Sequence, residues 1–182
     1  MIEFINFEEN KPNLIFKDLY HEAEKLNQNH IDAACISSFD RNKNEVDARF
    51  VNIKYIKNDE WVFFSNYESP KSKQFINHNQ ISIIFFWPKI ASQIRMKALI
   101  SKISRIDSKN YFAQRDPKKN ALAISSSQSM KISSYDRVVE KYNHCLSKDN
   151  LQDCPDNWGG YAFTPYYFEF WKGEEFRLNK RE

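Results

Sequence analysis

The run Ile81–Trp87, ISIIFFW, constrains this chain more than any other stretch. Side chains of an extended segment alternate between two faces, so a strand with one wet face alternates apolar and polar residues. Here Ile81, Ile83, Phe85 and Trp87 fall on one face and Ile84 and Phe86 on the other, with Ser82 the polar exception. A strand apolar on both faces has to be covered on both, by helices or by another subunit. Dimerisation is the expectation.

The chain is large enough to build such an interior. Its 182 residues suit a single domain over 1–182, which would bury about two thirds of the surface exposed when unfolded. With 41% hydrophobic and 15% aromatic residues but 3 glycines, the composition argues against disordered, collagen-like and glycine-loop nucleotide-binding architectures. Lysine and arginine total 27 against 24 acidic residues, a net charge of +3 that does not mark a nucleic-acid binder. Cys35, Cys145 and Cys154 are odd in number and lack CxxC spacing, so neither a disulfide framework nor a zinc site is expected. A reducing cytoplasm is the simplest compartment. The opening MIEFINFEEN is acidic where a signal peptide would be basic, and no apolar run nears the ~20 residues of a membrane span.

Residues 12–28 place Ile15, Leu19, His21, Ala23 and Leu26 near helical spacing behind Pro12, predicting an amphipathic helix within a lead-in over 1–30. AACISSF (33–39), ARFVNIKYI (48–56) and EWVFFSN (60–66) follow as β-rich runs joined by the polar turns DRNKNEVD and KND. ISIIFFW and ASQIRMKALISKIS (91–104) continue the meander across a turn at Pro88. The period then changes, and 108–116, 119–129 and 133–148 read as short helices. The last carries Val138, Val139, Tyr142, Cys145 and Leu146 on one stripe, with Ser133 and Asp136 spaced as a capping box. Beyond a linker at 149–157, WGGYAFTPYYFEFW and EEFRLNKR return to strand character. Sequential antiparallel strands with interposed helices predict an α+β fold built on a small barrel.

Several segments could hold an anion. In SNYESPKSKQF (65–75) a strand ends, Ser69 stands at a helix cap, Pro70 opens the helix, and Lys71 and Lys73 lie close by. This is either a phosphate cradle at a helix N-terminus or a capped surface helix. Arg49 and Lys54, five apart, point to opposite faces of a regular strand, so sharing a ligand requires a bulge or a subunit boundary. Otherwise they are edge-strand cations that discourage aggregation. Tyr111 and Arg115, four apart on a helix, offer a hydroxyl and a guanidinium to a phosphate. SSSQS (125–129) lacks a glycine-bracketed serine elbow, and His21, His30, His78 and His144 stand singly, so neither a triad nor a metal site is expected. Any catalysis would draw on a bound cofactor. Taken as extended, the terminal FRLNKR puts Arg177, Asn179 and Arg181 on one face and Phe176, Leu178 and Lys180 on the other.

In order and spacing, ARFVNIK, FFSNYESPKSKQ, ISIIFFW, SQIRM, YFAQRDP, SSSQS, NWGGY and FEFWKGEEFRLNKR resemble the pyridoxamine 5′-phosphate oxidase family, from about residue 31 to the last residue. The resemblance implies an FMN-binding split β-barrel of antiparallel strands with flanking short helices, forming a homodimer with FMN at the subunit interface. It implies FMN contacts from Arg49, Lys54, Phe64, Ser65, Lys71, Gln93, Gln128, Ser129, Trp171 and Arg181. A small phosphorylated amine would be held by Lys54, Tyr111, Arg115, Lys119 and Arg177, with Arg177 and Asn179 at the catalytic positions. The implied reaction oxidises the aminomethyl carbon to an aldehyde, pyridoxal 5′-phosphate in the family, with O2 reduced to peroxide. No side-chain nucleophile is required.

Four features depart from the family pattern. Pro70 stands where the family has the arginine of Ser-Arg-Lys, Lys119 where it has a serine, and Asn179 where it has the histidine of Arg-x-His. Members also continue past this stretch, which implies a more open site or a shortened chain. These departures keep open an oxidase of another substrate, as in phenazine biosynthesis, and a flavin- or haem-binding barrel without turnover. A nucleic-acid-binding barrel is the most distant rival.

Overall fold

The computed structural model describes residues 1–126, 128–129, 131–147 and 150–182. The elements are β1 (Glu3–Ile5), α1 (Lys11–Lys25), β2 (Ala33–Asp40), β3 (Glu45–Asn52), β4 (Tyr55–Lys57), β5 (Glu60–Asn66), α2 (Pro70–Asn77), β6 (Gln80–Trp87), β7 (Ser92–Lys102), α3 (Arg105–Gln114), α4 (Pro117–Ser125), α5 (Tyr135–Leu146), β8 (Trp158–Lys172) and β9 (Lys180–Arg181). Short 3₁₀ turns occupy Pro88–Ile90 and Glu175–Arg177. The strands form one sheet in the order β1-β4-β5-β8-β7-β6-β2-β3, with β9 also paired to β8. Pairing is antiparallel except between β1 and β4. This is the α+β architecture that the alternating periods predict.

The core is aromatic and forms on one face of β6. Ile81, Ile83, Phe85 and Trp87 are buried, while Phe86 on the other face is 57% exposed. That second face is open in the single chain. Against the buried face, α1 lays Phe16, whose ring meets Trp61 edge-on at 4.4 Å and Phe85 at 5.3 Å. Asn10 caps α1 by accepting from the Asn13 N–H, and Pro12 sits in the first turn. The buried stripe is Asn13, Phe16, Tyr20 and Ala23. Of the expected Ile15, Leu19, His21, Ala23 and Leu26 set, Ala23 is buried and Leu19 packs partly buried against the core, while His21 and Leu26 are exposed, because the large rings of Phe16 and Tyr20 take the centre. The segment before residue 31 also supplies a strand, β1, tied in by the Ile2 N–H donating to the Tyr20 hydroxyl at 2.8 Å.

A bulge shapes the long strand β8. The β7–β8 register shifts between Lys97 and Ala98, which pair with Tyr167 and Pro165 and leave Tyr166 as the extra residue. Inward residues are therefore Tyr161 and Phe163 before it and Phe168 and Phe170 after it. Glu169 and Trp171 are turned to the outer face.

Several expectations need correction. The expected strand over 48–56 is two strands. At Ile53 and Lys54 the backbone changes partner, with the Ile53 N–H donating to Asp32 O and the Lys54 N–H to Val62 O, both at 2.8 Å. The tail is not extended throughout, since Phe176 (φ 55°) and Arg177 (φ 62°) are left-handed and pairing resumes at Lys180. The alternating faces expected for FRLNKR therefore do not form, and Phe176 and Leu178 are 91% and 77% exposed. Ser134, not Ser133, caps α5, accepting from the Arg137 N–H. Within the expected α5 stripe, Cys145 is buried and Val139 is exposed. Helix α4 stops at Ser125, short of 129; Ser127 and Lys148 of the expected helices lie outside the described residues. Among the described residues, no helix is long and apolar enough to cross a membrane.

Phe16 is fully buried and Leu26 is 49% exposed. Phe16→Ala should cost about 3–5 kcal/mol of unfolding free energy, against roughly 0.5 kcal/mol or less for Leu26→Ala, read by urea denaturation.

Candidate functional site

The first group of candidate residues gathers where β5 hands over to α2. Ser69 holds the N-cap position, yet its side chain makes no capping bond. Its hydroxyl donates to Asn66 O at 2.7 Å and accepts from Lys71 Nζ at 3.1 Å. From the neighbouring β3, Arg49 donates to Ser38 Oγ at 2.6 Å and Gln74 Oε1 at 3.0 Å and pairs with Asp47 at 2.6 Å. Burial, with the Arg49 guanidinium beside it, holds the Lys71 ammonium down to about 8. Burial alone would raise the Asp47 carboxyl, but Arg49 and Gln74 bring it below its usual range. Arg49 and Lys71 thus share a largely buried, net cationic seat beside the start of α2, where Pro70 has no N–H, the Ser72 and Lys73 N–H groups donate to Ser69 O, and the Ser69 side chain makes no cap.

A second group lines a cleft of about 490 Å³ formed by Asn52, Lys54, Tyr111, Gln114, Arg115, Asp116 and Lys119. The one aromatic ring in its lining, Tyr111, is backed by a stack, with Phe64 on Tyr111 at 3.8 Å and on Trp158 at 5.0 Å, both within 9° of parallel. The Arg115 guanidinium lies 4.6 Å over the Trp158 ring, and burial lowers its affinity for the proton. Among the described residues, Arg115 Nη1 is buried without a hydrogen-bond partner. Lys54 pairs with Asp32 at 3.2 Å. Gly160 is needed here for close approach, since a Cβ would meet Ile103 Cδ1 at 2.3 Å and Phe64 at 3.0 Å.

The third group is a row across the sheet. Gln93 pairs with Trp171 and Trp171 with Arg181, and Phe86 flanks Gln93 on β6. Their side chains share the outer face, together with Phe50, Cys35 and Ile84. Arg49 lies on the opposite face, in register with the buried Ile36, Ile83 and Met96. Sheet geometry therefore separates Arg49 from Gln93, Trp171 and Arg181 within one chain.

Of the remaining candidates, Gln128 joins Ser65 at the end of β5, beside the first group, while Arg177 and Asn179 stand apart on the tail. Gln128 Oε1 accepts from Ser65 Oγ and the Asn66 N–H, both at 3.2 Å, and Ser129 is left-handed at φ 63°. Arg177 is exposed, and Asn179 Oδ1 accepts from the Glu174 N–H at 3.2 Å. Residues that the sequence reading missed include Asp47, Gln74, Trp158 and Glu169. Asp47 and Glu169 each lie two residues from a candidate, the period that puts both on one face of a strand, and Gln74 lies three after Lys71 on a helix. Trp158 has no comparable local signal. Among the described residues, no group of three or more His, Cys, Asp or Glu side chains could hold a metal ion.

A family model described as pyridoxamine 5′-phosphate oxidase matches residues 21–142. The pyridoxine/pyridoxamine 5′-phosphate oxidase 1 of Hydrogenovibrio crunogenus is 34% identical over 168 residues, covering 91% of this chain and 77% of that protein. The enzyme of the same name from Leptospira interrogans is 31% identical over 172 residues, covering 93% and 80%. Among solved structures, PhzG from Burkholderia lata 383, in complex with tetrahydrophenazine-1-carboxylic acid, superposes with a TM-score of 0.87 at 17% identity, covering 93% and 84%. A pyridoxamine 5′-phosphate oxidase-related, FMN binding protein from Nostoc punctiforme gives 0.74 at 11% identity, covering 95% and 96%. At those identities the structures speak for the fold, which is the split barrel expected. Sequence likeness along most of its length carries the further step: this chain belongs to the pyridoxamine 5′-phosphate oxidase family.

Proposed function

We propose that two copies of this chain hold FMN between them and oxidise a small phosphorylated amine of the pyridoxamine 5′-phosphate type to its aldehyde. The observation that carries this reading is the cleft, where a buried Arg115 nitrogen, unpartnered among the described residues, sits with Lys54, Lys119 and the flat ring of Tyr111. A planar ring bearing a phosphate would satisfy both features, each charge-assisted hydrogen bond contributing about 1.5–3 kcal/mol. Tyr111 adds a hydroxyl and a ring. A tail that presents Arg177 and Asn179 would complete the site at the reacting carbon, with a neutral amide replacing a titratable imidazole.

The residues present suit FMN. Lys71, Arg49 and the uncapped start of α2 would take its phosphate, while Trp171 and Gln93 would give the ring an apolar wall and a donor. Phe64, Ser65, Gln128 and Ser129 would border it. When bound, FMN accepts the hydride and returns electrons to O2. Because Arg49 and the Gln93–Trp171–Arg181 row lie on opposite faces of one sheet, one ligand can touch both when the row comes from a second copy. The open apolar face of β6, with Phe50 beside it at 74% exposure, supports that dimer. The three free cysteines fit the reducing cytoplasm expected for it.

The direct test is a visible spectrum of protein reconstituted with FMN, followed by oxygen uptake with pyridoxamine 5′-phosphate. A yellow protein that consumes oxygen is expected, and Arg115→Met should raise KM about tenfold or more while FMN content stays constant. Uptake of no FMN sinks the reading; a loaded protein silent toward this amine but active on a reduced ring carboxylate moves the substrate to the phenazine type.

Lys71 makes flavin affinity depend on pH. Below pH 8 its ammonium is present in the flavin-free chain; above pH 8 binding the phosphate requires proton uptake, so Kd should rise by up to about tenfold per pH unit. The same depressed value means that at Lys71 the flavin-free fold binds fewer protons than the unfolded chain between pH 8 and the ordinary lysine range, so the Lys71 contribution to stability should climb across that window. Lys71→Met should flatten the rise of Kd above pH 8 in fluorescence titration, and the stability difference between wild type and Lys71→Met in thermal melts should shift in favour of wild type as pH rises across the same window. For the dimer, Phe50→Glu should convert the particle to a monomer in sedimentation velocity, with loss of FMN.

A further inference from the structure

Glu169 belongs to neither the proposed FMN contacts nor the cleft, yet it touches the flavin-side row. It lies two residues before Trp171 on β8, on the same outer face. Its side chain is 12% exposed and is shared between two arginines. Oε2 lies 2.8 Å from Arg95 Nη2 on β7, and Oε1 lies 3.7 Å from Arg181 Nε on β9. The Tyr167 hydroxyl donates to Oε2 at 3.2 Å. The neighbouring cations have other acids, Lys172 with Glu22 and Lys180 with Glu174.

Arg181 needs such a tether. It sits on the two-residue strand β9 after a turn with two left-handed residues, and its side chain is 66% exposed. A long guanidinium side chain in that setting samples many rotamers unless an anion holds it. We propose that Glu169 is a positioning residue that fixes the Arg181 guanidinium against the flavin, with Arg95 supporting the carboxylate from β7. This rests on the FMN-binding reading. In the flavin-free chain Glu169 also joins β7, β8 and β9, so a purely structural latch is the rival to exclude.

The experiment is fluorescence titration of flavin-free protein with FMN for wild type, Glu169→Gln, Glu169→Asp, Arg181→Met and the double variant Glu169→Gln/Arg181→Met. Thermal melts of the flavin-free proteins and visible spectra of the loaded ones accompany it. Expected are a roughly tenfold weaker Kd for Glu169→Gln, recovery of most of the affinity in Glu169→Asp, and no further loss when Glu169→Gln is added to Arg181→Met. The flavin absorption band should shift alike in Glu169→Gln and Arg181→Met, while the flavin-free melting temperatures match wild type. Unchanged affinity in Glu169→Gln, or a loss that persists in full on the Arg181→Met background, overturns the inference. So does a lowered flavin-free melting temperature without rescue by Glu169→Asp, which identifies a structural latch. Wild-type protein that takes up no FMN fails the flavin reading itself.

Discussion

The structure depends on how β6 uses its two faces. Ile81, Ile83, Phe85 and Trp87 dock α1 and the rings of β5 and β8 into a core, and burying these side chains is the main favourable contribution to the fold. The same backbone cannot turn Ile84 and Phe86 inward, because alternation sends them to the opposite face. The chain therefore acquires a core and an unsatisfied apolar surface from one strand. The proposed dimer follows from the second as the fold follows from the first.

The division of faces also sorts the chemistry. Arg49 and Lys71 lie on the core side at the sheet's edge beside α2, where burial concentrates positive charge around one carboxylate. Gln93, Trp171, Arg181 and Glu169 lie on the outer side. In the proposed reading, the site assembled from both sides of this sheet is built from two molecules. The cleft around Arg115 is different, since one chain supplies its lining from the β3–β4 crossing, α3 and α4. In the proposed reading the cofactor seat needs the partner while the substrate phosphate seat belongs largely to one chain.

Departures from the family pattern gain physical meaning in this setting. Pro70 opens α2 without a guanidinium, and the seat beside it is carried by Arg49 and by a lysine whose charge burial has made costly. Lys119 lines the cleft, where a longer, charged donor replaces a hydroxyl. Asn179 spends its amide oxygen on the Glu174 N–H, so part of what the family invests in a titratable ring is used here to close a turn.

Strong periodicity made much of the fold legible. The strands β2, β5, β6 and β7 and the opening helix stand where alternation and 3.6-residue spacing put them; Tyr111 and Arg115 do line one cleft, but Arg115 is the extended residue that ends α3 and not a helical neighbour four on. Short or locally ambiguous pieces were not legible. The three residues of β1 form a strand because β4 offers an edge, and the β3–β4 break exists because Asp32 and Val62 accept hydrogen bonds from consecutive N–H groups. The turn at Phe176 and Arg177 runs against the apparent alternation of the tail. By itself the sequence determined which side chains seek burial and which residue types could hold an anion, because these are properties of local spacing and chemistry. The tertiary structure decided which cations share a seat, which face each candidate occupies and which carboxylate holds Arg181. Those relations join residues far apart in the chain through register and a bulge, which no local pattern encodes.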